Sequence, residues 1–179
     1  HAAAGGVGLF AVQLAKLFGA GKVIATASTT EKLELAKRVG ADEGVNYTDY
    51  NWSEQVMHHT NGKGVDVVLE MVGGDIFNKS IKLLGNFGRL VIYGRAGGES
   101  TNIDPSVLMQ RNTSVIGFWL VRIMQRPDLY RESIDELLGY IDQGKLIVNI
   151  GEIFKLEDAN FAHEKMEARQ TTGKIILIP

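Results

Sequence analysis

No cysteine occurs among the 179 residues, so this chain holds no disulfide, no thiolate-ligated zinc and no cysteine nucleophile. Proline is scarce, at three residues, and no Pro/Ser-rich linker divides the chain. No run of 18 apolar residues is present, so no membrane-spanning helix is expected. The chain does not open on a basic stretch followed by an apolar one, so no secretory signal is expected there. Neither sign of charge dominates: Lys+Arg 19 against Asp+Glu 21 leaves −2. That balance disfavours a nucleic acid or a membrane surface as partner. Repeats and low-complexity tracts are also missing.

Glycine is what the chain has in excess. Its 21 residues are about 12% of the chain, against an average near 7%. With 45% apolar and 22% charged residues the chain reads as folded. Glycine at this level then points to loops that turn sharply or approach a ligand. Glycine-rich sequence begins directly after His1, and His1 reads as a cut inside a larger protein.

Apolar side chains at Val7, Phe10, Ala11, Leu14, Ala15 and Phe18 form one helical stripe, with Gln13 and Lys16 off it. Gly19 and Gly21 close that helix. Short apolar runs at 23–27, 44–47, 65–70, 89–94 and 114–120 read as strands. Helices are expected over 31–39, 52–60, 75–84 and 105–110, and around Ile134, Leu137, Leu138 and Ile141 with Gly144 as C-cap. A last helix over 156–168 and a closing strand over 174–178 follow. This alternation predicts an α/β fold with a mostly parallel, doubly wound sheet.

Ala3, Ala4, Gly5, Gly6, Val7 and Gly8 precede the first helix. They match a dinucleotide-binding fingerprint in which Ala3 stands at the first glycine. Gly5 lets backbone approach a pyrophosphate, and Gly8 lets the helix pack closely. The helix N-terminus offers unpaired N–H groups and a positive dipole end. The alternative is a glycine-rich packing turn. At the end of the second strand of such a fold, an NAD site places a carboxylate on the ribose. Here Thr26, Ala27, Ser28, Thr29 and Thr30 precede the first carboxylate, Glu31. Ser28 and a cation one turn on, Lys32, suit a 2′-phosphate, which favours NADP. Otherwise Ser28 opens a capping box with Glu31, and Lys32 is a solvated lysine. Tyr47 lies against adenine or the 2′-phosphate, or else covers the sheet edge. The loops at 70–74 and 93–95 and the pair Phe118–Trp119 end strands where ligands of open α/β sheets bind. The aromatic pair reads equally as core or interface. The four His, at 1, 58, 59 and 163, form no metal motif, and His58 and His59 are expected to point apart. No catalytic acid or base stands out, and Trp52 reads as packing.

The segment His1–Gly8, together with 25–29, Glu31, Lys32, Gly40, Ala41, Asn46, Tyr47, 64–66, Val72, Gly73 and 172–174, resembles the medium-chain dehydrogenase/reductase superfamily. It is most similar to the zinc-independent NADPH:quinone oxidoreductase, zeta-crystallin-like branch. The resemblance implies a Rossmann-type sheet in the order 3-2-1-4-5-6, its first strand largely missing from the chain. It implies a dinucleotide-binding domain at 1–146 and a segment at 147–179 that returns to an absent GroES-like catalytic lobe. It implies NADPH as cofactor and hydride transfer to a quinone or enone. By matching position Gly5, Gly6 and Val7 take the pyrophosphate, while Ser28, Lys32, Tyr47 and Arg169 take the 2′-phosphate and adenosine. Val72, Gly94 and Phe118 surround the nicotinamide. No catalytic residue and no metal ligand is assigned, and the chain is expected to be inactive without the other lobe. A cytoplasmic homodimer pairing through the strand 114–120 is implied, since that apolar edge would otherwise be bare. The rival readings are an enoyl reductase acting on acyl thioesters and an NADPH-binding structural protein, crystallin-like, without turnover.

Overall fold

The computed structural model describes residues 1–179. In chain order the elements are α1 (Gly8–Leu17), β1 (Ile24–Ala27), α2 (Thr30–Arg38), β2 (Glu43–Asn46), α3 (Trp52–His59), β3 (Val65–Glu70), α4 (Gly74–Leu83) and β4 (Leu84–Ile92). They continue with α5 (Pro105–Met109), β5 (Ser114–Gly117), α6 (Leu120–Met124), α7 (Pro127–Asp142), β6 (Ile150–Lys155), α8 (Ala159–Glu167) and β7 (Lys174–Ile178). The Rossmann-type α/β class holds. The strands form three sheets, β1-β2, β3-β4-β5 and β6-β7. The single sheet in the expected order 3-2-1-4-5-6 is not among them. No helix is long and apolar enough to cross a membrane.

The chain divides into two compact units, one of residues 2–44 and 135–179, the other of His1 and 45–134. In the first, Ala3, Val12, Ala25, Ala36 and Ala41 form the core, with Val23 and Val39 against it. Such small side chains let α1 and α2 come close to β1. Gln13 departs from expectation. It is buried, and its amide nitrogen donates to the carbonyls of Leu9 (3.0 Å) and Ile147 (3.1 Å) while its oxygen accepts from Ile147 N–H at 2.8 Å. The side chain thus pairs with Ile147 as a strand would. Buried backbone needs such partners, and this need overrides the polar residue's place off the apolar stripe. β6 and β7 run parallel, Ile153 opposite Ile176 and Phe154 opposite Leu177. β6 lies outside the expected elements, because its apolar residues are mixed with Gly151, Glu152 and Lys155 and its side chains stay largely exposed.

In the second unit β3, β4 and β5 are parallel, with Leu90 opposite Val68 and Val115. Val68, Phe77, Ile81, Leu84 and Leu90 are its core, and Trp52 is fully buried. The strand expected over 114–120 ends at Gly117. Phe118 N–H makes the last bond across, to Ile92 O at 2.8 Å, and β4 itself stops at Ile92. Without a partner strand the chain turns helical, and Arg122 N–H already bonds Trp119 O at 3.0 Å. The strand expected at 89–94 likewise ends two residues sooner and starts earlier, at Leu84, straight out of α4.

Replacing Gln13 by Ala removes the acceptor of Ile147 N–H and leaves Ile147 O to Asn149 Nδ2 alone, at 3.2 Å. The expected loss is about 1 kcal/mol of folding free energy, read from urea unfolding, in line with the cost of a part-buried N–H left without its acceptor. A loss under about 0.5 kcal/mol would mean that water replaces the clamp.

Candidate functional site

The glycine loop lies in the first unit. A Cβ on Gly8 would sit 2.3 Å from Ala2 O and 2.7 Å from Ala3 C and Cα. Only glycine fits, so α1 starts directly on the backbone of the preceding loop. Ala3 N–H donates to Thr26 O (3.0 Å), Gly5 N–H to Ala2 O (3.0 Å) and Leu9 N–H to Gly5 O (3.0 Å). These bonds fix the loop to the end of β1. Gly6 N–H faces Gly173 O across the parallel bridge of Gly5 with Gly173, whereas Val7 N–H donates to no group of the protein. α1 has no acidic residue in its first turn and no side-chain cap. The loop therefore presents a free donor at a positive helix end, a setting that fits a pyrophosphate.

Beyond β1, the cap of α2 is Thr29, whose hydroxyl accepts from Lys32 N–H at 3.3 Å. The capping box read at Ser28 is shifted by one residue, and Ser28 is not used for it. Glu31 is held below the usual carboxylate range by its own backbone N–H and by the Thr29 hydroxyl. Lys32 Nζ donates to Arg169 O at 2.5 Å. Lys32, on α2, is thus joined to the backbone just after α8, while Ser28 directly follows β1. Arg169 is exposed, and its backbone takes the left-handed conformation, φ 58, at a helix end where glycine is usual. Tyr47 follows β2 and lies in the other unit, half-buried.

Val72, Gly94 and Phe118 belong to that second unit. The buried Glu70 carboxylate accepts from Val72 N–H (2.7 Å) and Gly73 N–H (3.1 Å) and so shapes the turn after β3. The turn is bonded to the loop after β4: Ala96 N–H donates to Met71 O (2.7 Å) and Gly97 N–H to Val72 O (2.8 Å). Gly94 sits against Met71, where a Cβ would come within 3.2 Å of that side chain. Gly94 and Phe118 line one open pocket of about 620 Å³, with Ile92, Tyr93, Trp119 and Arg122 among its walls. Tyr93 belongs to the 93–95 loop expected at the ligand end of the sheet, whereas Arg122 lies outside the expected site residues, since nothing in the sequence marks α6. Burial pushes the Tyr93 phenol up from its ordinary value, and the Glu70 charge adds to this. The phenol keeps its proton at neutral pH and can donate a hydrogen bond into the pocket.

A glycine loop at a helix start, followed by a strand end bearing hydroxyls and by a lysine one turn on, fits the phosphate-binding half of a Rossmann-type dinucleotide fold. The chain belongs to the zinc-binding dehydrogenase family, whose model matches residues 6–138. A quinone oxidoreductase of Pseudomonas aeruginosa is 37% identical over 180 residues, covering 100% of this chain and 55% of that protein. The quinone oxidoreductase-like protein 2 of Bos taurus is 37% identical over 177 residues, 98% of this chain and 51% of that protein. The solved structure of Escherichia coli quinone oxidoreductase complexed with NADPH superposes with a TM-score of 0.91 at 36% identity, covering 100% of this chain and 56% of that one. The chain spans about half the length of the curated relatives it matches.

The family's description names zinc. These residues include no cysteine and bring no three of His, Asp and Glu together as ligands, so they do not fit a metal centre. His58 and His59 do not point apart as expected: their rings meet edge to face at 5.9 Å near the frayed end of α3.

The sign of the Tyr93 shift sets a pH window. The folded chain binds the phenolic proton more tightly, so the related stability is complete below pH about 10 and is lost as pH rises further. Tyr93→Phe is expected to lose less stability than the wild type between pH about 9 and 11, by urea midpoints. Equal losses would mean that the phenol is not shielded.

Proposed function

We propose that this chain is the cofactor-binding part of a cytoplasmic NADPH-dependent oxidoreductase that passes hydride to a quinone or related enone. In this reading residues 1–146 are the dinucleotide-binding domain, and 147–179 return to a separate substrate lobe needed for turnover. The observation that carries it is Ser28 directly after β1, where an NAD site would place a carboxylate, with Lys32 one turn on and bonded to the Arg169 carbonyl. Glu31, the nearest acid, is engaged with its own helix start. The relatives named quinone oxidoreductase, one of them complexed with NADPH, support the same reading.

When bound, NADPH supplies the hydride. The Val7 amide and the close backbone of Gly5 and Gly6 would hold the pyrophosphate, and the Ser28 hydroxyl with the Lys32 and Arg169 cations would hold the 2′-phosphate. Tyr47 packs on the adenosine. Val72, Gly94 and Phe118 orient the nicotinamide, with Glu70 fixing the Val72 turn. Tyr93, Phe118 and Trp119 give an aromatic wall suited to a flat ring acceptor. No side chain here need act as acid or base; the chain's part is orientation and exclusion of water.

Equilibrium titration of the intact protein tests this. The wild type should bind NADPH at least tenfold more tightly than NADH. Lys32→Ala and Arg169→Gly should each weaken NADPH about tenfold, with NADH nearly unchanged, as for partly exposed charge-assisted bonds. Because φ is 58 at Arg169, the glycine variant should keep or raise the thermal midpoint. Equal binding of the two cofactors by the wild type would sink the reading.

A homodimer through the edge strand β5 is part of the proposal. Ile116, Phe118, Trp119 and Leu120 are between 43% and 64% exposed, more apolar surface than a bare edge tolerates. Sedimentation should give a dimer, and Ile116→Lys a monomer; a wild type that stays monomeric at high concentration would refute it.

A further inference from the structure

We propose that Lys174, on the closing strand β7, is a second source of positive charge for the pyrophosphate, supplied from the far end of the chain. This rests on the dinucleotide reading and deepens it. Gly5 and Gly173 form a parallel bridge, and Gly173 N–H donates to Ala4 O at 2.8 Å. Gly173 has φ +60, and a Cβ there would come within 2.5 Å of Asn149 O. The start of β7 is thereby sewn against the glycine loop. Lys174 follows at once, and its side chain lies along Gly6: a Cβ on Gly6 would be 3.2 Å from Lys174 Cδ and 3.3 Å from Nζ. The ammonium sits 5.2 Å from the centre of the Phe10 ring, in the first turn of α1.

Electrostatically this is an odd place for a lysine. The start of a helix carries partial positive charge, so a cation there is disfavoured. No carboxylate offsets it, since α1 has none in its first turn and Lys174 is in no salt bridge. The side chain is half-buried, so water offsets the repulsion only in part. The Phe10 face supplies some attraction. An anion bound at the free amide of Val7 and the start of α1 turns the repulsive pair, dipole and ammonium, into two attractions on one ligand. A diphosphate is the ligand class that fits both together.

The test uses Lys174→Gln and Lys174→Arg in the intact protein, with NADPH, NADH and adenosine 2′-monophosphate as probes and ligand-free thermal unfolding as control. Lys174→Gln should weaken NADPH and NADH alike, about tenfold. It should flatten the salt dependence of binding, leave adenosine 2′-monophosphate unchanged and keep the ligand-free midpoint or raise it. Lys174→Arg should bind both dinucleotides within about twofold of wild type. Unchanged dinucleotide affinity in Lys174→Gln overturns the proposal, as does a loss confined to NADPH, which would put the charge on the 2′-phosphate. A Lys174→Gln chain too unstable to titrate leaves Lys174→Arg to decide: an arginine variant that folds but loses both dinucleotides overturns it. A wild type that binds neither dinucleotide refutes the underlying cofactor reading, a result separable from failure of Lys174 alone.

Discussion

The contact of Gly8 with the backbone of Ala2 and Ala3 governs the first unit. No side chain fits there, so the axis of α1 and the path of the loop are fixed relative to each other. Once that contact is made, the loop amides have little freedom. Ala3 and Gly5 direct theirs to Thr26 and Ala2 and Gly6 faces Gly173 O, whereas Val7 has nothing in the protein to bond. Free donors at a helix start are costly when dry and are ordinarily capped. Here Val7 stands at the cap position with no side-chain bond. The arrangement stabilises a ligand at the expense of the ligand-free chain, a trade that recurs at functional sites.

The same logic separates the two carboxylates nearest the candidate site. Glu31 completes the start of α2 and is occupied there. Glu70, fully buried, takes the N–H groups of Val72 and Gly73 and makes a tight turn out of three residues. Neither is free for proton transfer. The pocket wall carries the Tyr93 phenol, whose proton is held by burial and by the Glu70 charge, and the permanently charged Arg122. The chemistry of these residues is therefore that of a holder: fixed donors, fixed cations and an apolar wall.

Much of this was legible in the sequence, and the reasons differ by element. The α1 stripe, the glycine loop and the apolar β3 and β4 carry strong periodic or steric signals, and each forms close to where it was read. Other features depend on partners distant along the chain. Gln13 looked like a surface residue because its partner, Ile147, is 134 positions away. β6 was invisible because its side chains do not alternate cleanly, and it exists by pairing with β7. β5 came out shorter because β4 ends opposite Gly117, a limit that the apolar run itself does not encode. At Ser28 the motif was real but displaced: Thr29 is the residue with extended backbone, φ −142, and so it caps.

Arg169 shows how local strain and site chemistry bear on each other. A non-glycine residue in the left-handed region costs of order 1 kcal/mol, and a glycine at this helix end would avoid that cost. Its carbonyl accepts from Lys32, so the turn that strains Arg169 also brings the only lysine of the β1–α2 corner up to it. A relaxed extended conformation would swing that carbonyl away and leave Lys32 to solvent. The strained backbone thus holds the Lys32 ammonium at the Arg169 carbonyl. A cation fixed at one place loses side-chain freedom, a cost that a bound anion offsets. The more highly charged the anion, the larger the offset. This argues for a phosphate monoester, close to two charges at neutral pH, over a ribose hydroxyl at this corner.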